Sequence, residues 1–420
     1  MHTKLPVAII GGGPVGLAAA AQLAVREEPF VLFESGDAVG TNFSDYGHVR
    51  LFSPWKYNKD EAARTLLTRH NHPLPDDDTL PFGQDIVNDY LLPLANLPEM
   101  KKGIHLMSHV EAITRKGFDK GKTHGRESAP FLLEVMENGK PVTYEARAVI
   151  DATGTWQQPN PVGSDGVAAS GEEELREHIR YGIPDVSGRE RSRYEGKRVM
   201  VVGSGHSAIN ALLELSGLEG TTVHWSLRKQ NVEETYGGME DDALPGRGAL
   251  GTRIKELVDS GRVLVHEDFH VTALYSSAGR MDVWSRQDSV VEGIDEIIAV
   301  TGSRPDFSFL REVRHSFDAA IESVPAIADL IDPNLHSCGT VRAHGEEELR
   351  QPEKDFYIVG AKSYGRAPTF LLATGYEQVR SIVAYMTGDF TAAKEVKLNL
   401  PETGVCQADI QVTRKASCCQ

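Results

Sequence analysis

The stretch Val7-Ala-Ile-Ile-Gly11-Gly-Gly13-Pro14-Val15-Gly16-Leu-Ala-Ala-Ala-Ala-Gln-Leu constrains this chain more than any other. An apolar run from Val7 to Ile10 meets a glycine cluster and then an alanine-rich pattern at helical spacing. A second apolar run, Phe30 to Phe33, ends on Glu34. The order reads as strand, tight turn, helix and strand. In the spacing Gly11-x-Gly13-x-x-Gly16 each glycine has its own geometric task. Gly11 permits the turn, Gly13 lets a pyrophosphate approach the backbone, and Gly16 lets the helix pack close to the sheet. Pro14 and Val15 open a helix whose free N–H groups face the phosphates. Glu34, with Ser35 beside it, is placed to accept hydrogen bonds from ribose hydroxyls.

A second copy of the pattern begins at Arg198-Val-Met-Val-Val-Gly203-Ser-Gly205-His206-Ser207-Ala208, with alanine in place of the third glycine. Its second strand, Thr222 to Ser226, has no terminal acid and runs into Arg228 and Lys229. Where Glu34 would repel a 2'-phosphate, these two cations would pair with one, so the second cradle is expected to prefer NADPH to NADH. Two buried strands close on glycine turns in parallel fashion, Ala148 to Gly154 and Ile297 to Gly302. A late strand, Asp355 to Val359, ends on Gly360 and Ala361, and a helix is expected from Thr369 to Met386. Phe131 to Met136 and Val142 to Ala146 read as strands of an antiparallel excursion, with Asp119 to Ser128 as an exposed hairpin tip. Gly237 to Gly251 reads as a glycine-rich loop.

At 420 residues the chain exceeds one ordinary core, so two or three domains are expected. Boundaries are drawn at residues 1–156 for the first part of the domain that carries the first cradle, 157–196 for a connector and 197–304 for an NADPH domain. Residues 305–397 form the second part of that first domain, and 398–420 a flexible tail. A formal net charge of -16 argues against a nucleic-acid partner. No run of eighteen apolar residues and no signal-peptide pattern occurs, so the expectation is a cytoplasmic protein without an integral membrane segment. Its partner is expected to be a small-molecule substrate, and a homodimer is compatible with this class.

These motifs together resemble the two-dinucleotide-binding-domain flavoproteins, which include flavin-containing monooxygenases and thioredoxin reductase-like enzymes. The resemblance covers residues 5 to 395 and implies an α/β fold of two Rossmann-like domains, the NADPH domain inserted into the FAD domain. It implies FAD on Gly11 to Gly16 and Glu34, with Gly154, Gly302, Gly360 and Ala361 close by. The helix near Thr369 would then aim its positive end at the flavin. Trp55, Tyr57, His48 and Lys362 are candidates near the rings, and His206 and Ser207 near the nicotinamide. Redox cysteine pairs of the disulfide reductases are missing from both of their positions. The aromatic-x-Gly-x-x-x-His stretch of the flavin monooxygenases is not matched cleanly either, since His178 to Gly182 offers those residue types in the wrong order.

The expected activity is an NADPH-dependent FAD oxidoreductase, monooxygenase-like, passing electrons to oxygen and a soft nucleophile such as a sulfur or trivalent arsenic compound. A metalloid or thiol reductase and a nonenzymatic redox sensor are the alternatives. Cys406, Cys418 and Cys419 crowd the last fifteen residues. Soft thiolates suit soft metals and metalloids, and adjacent terminal cysteines resemble the tails of mercuric reductases. Flavoproteins of arsenic-resistance operons act on similar thiol-seeking species. Incidental cysteines and lipid attachment are the other readings of this tail.

Overall fold

The computed structural model describes residues 4–242, 244–333, 341–368 and 370–398. Thr369 and all four cysteines, Cys338 included, lie outside the described residues. Strand β1 (Val7–Ile10) is buried along its whole length and pairs in parallel with β2 (Phe30–Phe33). Between them runs α1 (Pro14–Val25), buried on all sides over Pro14 to Leu23, with Ala18 to Ala21 all without exposed surface. Small side chains on that helix let its axis lie close to the strands. After α2 (Glu61–Arg69), β3 (Ile104–His105) extends the sheet beyond β2.

The expected antiparallel excursion follows as β4 (Ser108–Arg115), β5 (Phe131–Glu137) and β6 (Lys140–Ala146). The chain then re-enters the first sheet with β7 (Ala148–Asp151), parallel to β1.

The second sheet draws on residues read as a connector, because β8 (Ile179–Tyr181) pairs with a strand more than a hundred residues later. Next come β9 (Arg198–Val202), α3 (His206–Leu215), β10 (Thr222–Ser226), α4 (Pro245–Asp259) and β11 (Val263–His266). A second antiparallel excursion, β12 (Val271–Ser277), β13 (Arg280–Ser285) and β14 (Val290–Ile294), precedes β15 (Glu296–Ala299). The order is β11-β10-β9-β15-β8, with every pair parallel. Val199 and Val201 of β9 join the core beneath α3, while Met200 and Val202 join a separate core on the other face. Burial on both faces is what a parallel sheet requires.

The stretch from Gly237 to Gly251 is not the loop that its glycines suggest, since α4 starts at Pro245. A Cβ at Gly248 would lie 2.0 Å from the Met239 carbonyl oxygen, and one at Gly251 would lie 1.9 Å from that of Tyr236. These glycines let a helix touch a neighbouring backbone. They do not break it.

Finally β16 (Phe356–Ile358) pairs with β7 and completes the order β16-β7-β1-β2-β3, and α5 (Leu372–Met386) packs on α1. The helix expected from Thr369 therefore begins at Leu372. No helix among the described residues is long and apolar enough to cross a membrane.

The hairpin tip is anchored in the interior. Arg126 is 1% exposed and Arg115 2%, and both guanidinium groups reach Glu353, itself 2% exposed, at 2.8 Å and 2.9 Å. Arg126 also donates to the carbonyls of Asp119 and Glu312, and Arg115 lies 3.6 Å above the Phe131 ring. Burial alone would push the Glu353 carboxyl up, but the Arg126, Arg314 and Arg115 donors outweigh it and hold it below the ordinary range. Glu353→Gln leaves two guanidinium groups buried without a counter-charge. It should lower stability by about 3–5 kcal/mol in denaturant titration.

Asp60 caps α2 through Ala63 N and accepts from Gln22 Nε2 at 3.1 Å, and burial pushes its carboxyl up to about 6. A raised folded value means that the folded state binds the proton more tightly, so this contribution is present below about pH 4 and lost as pH rises through about 6. Asp60→Asn should remove that slope. Relative to the parent, its stability should rise across the window by up to about 3 kcal/mol, measured by unfolding at stepped pH.

Candidate functional site

Two glycine turns sit at the carboxyl ends of β1 and β9, and they are built alike. Gly11 has φ of +103°, and a Cβ there would lie 2.6 Å from the Ala152 carbonyl oxygen at the end of β7. Gly203 has φ of +137°, with the Val300 carbonyl oxygen at 2.3 Å after β15. Each turn leans on the loop beyond a neighbouring parallel strand. The next glycines, Gly13 and Gly205, have nothing within 4 Å of a Cβ position, so each opens a gap above its turn. Gly16 is held tightly, its Cβ position only 1.9 Å from the Gly11 carbonyl oxygen, while the second cradle accommodates a buried Ala208. Gly154 and Gly302, which close β7 and β15, both have positive φ.

The helix ends point the same way. None of α1, α3 and α5 has a side-chain cap or an acidic residue in its first turn. Their leading N–H groups are thus left for a ligand, and the positive ends of the dipoles are not neutralised. Val15 joins the first site together. Its methyls lie 3.4 Å from a Cβ position at Gly360 and 2.6 Å from one at Gly375 in the first turn of α5. The start of α1, the Gly360 loop and the start of α5 meet there. Gly360 N donates to Gln378 Oε1 at 2.7 Å, and Ala361 beside it is half-buried.

Glu34 closes the first cradle at its far side. Its carboxylate accepts from Gly12 N at 2.7 Å and from Gly36 N at 2.8 Å. The adjacent Ser35 is exposed. Gly12 was not singled out by the motif spacing, yet a Cβ there would stand 2.9 Å from Glu34 Oε2. A cradle empty of side chains, an uncapped helix and an acid fixed beside the turn fit the adenosine and pyrophosphate of FAD.

In the second cradle, Arg228 is exposed with one long contact, 3.4 Å to the Ser164 carbonyl, whereas Lys229 Nζ is engaged by the Glu234 carbonyl at 2.6 Å. The open gap at Gly205 and the Arg228 guanidinium fit a phosphorylated nucleotide, with Arg228 the freer of the two cations. His206 opens α3, followed by the half-buried Ser207, and its ring lies 5.3 Å from Phe52 of the first domain.

The other ring candidates fall differently. Trp55 is 4% exposed and lies in the first core near Tyr90 and Lys59. His48 is half-buried with neither ring nitrogen hydrogen-bonded, and Tyr57 is half-buried. Lys362 shows no exposed surface and pairs with Asp151 at 2.7 Å. No spacing rule points to Asp151, because its partner lies 211 residues away.

Two linkers join the sheets side by side, bridged between Pro159 and Ser303. Ser303 Oγ donates to Thr155 Oγ1 at 2.8 Å, and Arg304 Nε to Asn160 Oδ1 at 3.0 Å. Trp156 beside them has its ring centre 4.7 Å from that of Tyr46, tilted by 55°, and donates to Asp45.

The two kinds of glycine make opposite predictions. Gly11→Ala forces a methyl against the Ala152 carbonyl at positive φ and should destabilise the fold by ~2 kcal/mol or more. Gly13→Ala, in extended backbone with open space, should leave thermal unfolding within about two degrees of the parent.

One sequence relative, the probable indole-3-pyruvate monooxygenase YUCCA9 of Arabidopsis thaliana, is 24% identical over 239 residues, 54% of this chain and 50% of that protein. The match thus spans half the length of that relative. Among solved structures, a bacillithiol disulfide reductase from Bacillus cereus is similar at a TM-score of 0.65 with 19% identity, covering 91% of this chain and 100% of that one. A flavin monooxygenase from Stenotrophomonas maltophilia is similar at 0.57 with 18% identity, covering 91% and 99%. The family model described as pyridine nucleotide-disulphide oxidoreductase matches residues 8–330. The chain belongs to that family of oxidoreductases.

Proposed function

We propose that this enzyme oxidises NADPH and passes the electrons through FAD to dioxygen and a small, soft nucleophilic substrate, a sulfur or trivalent arsenic compound. The observation that carries this reading is the absence of any cysteine before Cys338 in the sequence. Without a thiol pair in either nucleotide domain, the electrons do not pass through a disulfide in the body of the protein, which favours an outside acceptor. The name of the plant relative, a probable monooxygenase, supports oxygen as that acceptor. A thiol or metalloid reductase is the second reading, favoured by the clustered Cys406, Cys418 and Cys419. We place the enzyme in the cytoplasm as a homodimer.

In this reading Gly11, Gly13, Pro14, Val15 and Gly16 hold the FAD pyrophosphate on the N–H groups of α1, and Glu34 accepts from the ribose. Gly154, Gly360 and Ala361 line the ribityl side. When bound, FAD supplies the two-electron redox chemistry. The uncapped start of α5 stabilises negative charge that develops at the pyrimidine edge on reduction, by up to ~2 kcal/mol. Gly203, Gly205, His206, Ser207 and Ala208 form the NADPH phosphate turn, and Arg228, with Lys229 behind it, selects the 2'-phosphate.

Oxygen uptake per NADPH, with peroxide and oxygenated product followed separately, tests the reaction. Substrate-stimulated uptake with little peroxide is expected, and turnover that persists without oxygen would establish the reductase instead. Arg228→Ala should raise KM for NADPH by about tenfold while changing KM for NADH less than about twofold. Equal effects on both nucleotides would remove Arg228 from the site.

A further inference from the structure

Lys362 and Asp151 make a buried charge pair that the proposed reaction does not use. Neither side chain has exposed surface, and Lys362 Nζ lies 2.7 Å from Asp151 Oδ2. The same Nζ donates to Thr153 Oγ1 at 3.1 Å and stands 4.5 Å from the centre of the Phe309 ring, with Phe307 at 5.4 Å. Asp151 Oδ1 in turn accepts from the Thr153 hydroxyl at 2.8 Å and from its backbone N–H at 3.2 Å. The ammonium thus has two oxygen acceptors and two ring faces around it, and the half-buried Thr153 is the member of the network nearest solvent.

The placement of these residues is specific. Asp151 ends β7 and Thr153 stands on the loop beyond it, whose backbone is the surface that Gly11 leans on. Lys362 stands two residues past Gly360 on the loop beyond β16, the loop that touches Val15. Strands β7 and β16 are parallel neighbours, so the pair ties together two loops at the carboxyl edge of the sheet, where such sheets bind their ligands. A buried ion pair stabilises a fold little better than apolar residues of the same volume would. What it adds here is a fixed distance between two walls of one crevice.

We propose that Lys362 is a positioning residue: through Asp151 and Thr153 it sets the spacing of the β7 and β16 loops, and with it the fit of the crevice to FAD. This inference rests on the reading that the first cradle holds FAD. Holoenzyme carrying Lys362→Met, Asp151→Asn or both is compared with the parent by the rate of FAD release on dilution, by the absorption maximum of the bound flavin, and by thermal unfolding. The double variant removes both charges and keeps the volumes, so its unfolding temperature should return close to that of the parent. Its FAD should nevertheless leave about tenfold faster, with a shifted absorption maximum. A double variant that recovers both stability and FAD retention would make the pair purely structural and overturn the proposal.

Should the double variant not fold, Thr153→Val removes only the hydroxyl that links the pair to the crevice. Faster FAD release at a temperature where the variant stays fully folded is expected, with some loss of thermal stability from the polar groups left short of a partner, and unchanged release overturns the proposal. A parent protein that neither carries nor takes up FAD would overturn the cofactor reading as well, whereas a yellow parent whose variants hold FAD equally overturns this inference alone.

Discussion

The structure depends on how closely a strand end can approach the loop beyond its neighbour. At Gly11 and Gly203 the backbone passes a carbonyl oxygen at distances that no Cβ tolerates. That approach lets the following helix start directly above the sheet, aimed at the crevice with its N–H groups free. Every other part of the site follows from it: the gaps over Gly13 and Gly205, the carboxylate of Glu34 beside the first turn, and the guanidinium of Arg228 beyond the second. The two cradles differ in one detail of packing. At position 16 a Cβ would lie 1.9 Å from the Gly11 carbonyl oxygen, whereas the second cradle carries Ala208 at the corresponding place.

Charge is handled in two ways. Around the cradles it is left unpaired among the described residues, as with the uncapped starts of α1, α3 and α5 and the exposed Arg228. Away from them it is buried and satisfied. Glu353 gathers Arg115 and Arg126 and so fastens the first antiparallel excursion to residues that come more than two hundred positions later. Removing one member of that group strands the others, which is why such clusters fix geometry even when they contribute little net stability.

The glycine spacing, the terminal acid and the order of apolar runs were enough to read both cradles and the two-sheet architecture, because those signals are local and each has a steric cause. What escaped the sequence is nonlocal. The strand Ile179–Tyr181 is too short to announce itself and exists because β15 offers it an edge. Arg126 looked like part of a solvated tip because its partner lies 227 residues away. The glycines of α4 suggested a loop, since nothing nearby in sequence says that the Met239 and Tyr236 carbonyls press against that face. Trp55 was a candidate wall residue and lies in the core, where the aromatic character that drew notice is used for packing. Asp151 and Lys362 are each unremarkable alone, and only the pairing of β7 with β16 brings them together.

The strand order also bears on how the molecule comes into being. The second sheet is encoded in one uninterrupted stretch and can assemble as soon as Ala299 has emerged from the ribosome. The first sheet must wait for Phe356 to Ile358, so β7, made some two hundred residues earlier, stays without its outer neighbour until that strand follows. During that interval β7 presents an apolar, unpaired flank, the kind of surface that recruits unwanted partners. The inserted sheet is thus placed to mature before the sheet that surrounds it in sequence, and the nascent chain's exposure to aggregation is concentrated on the flank of β7.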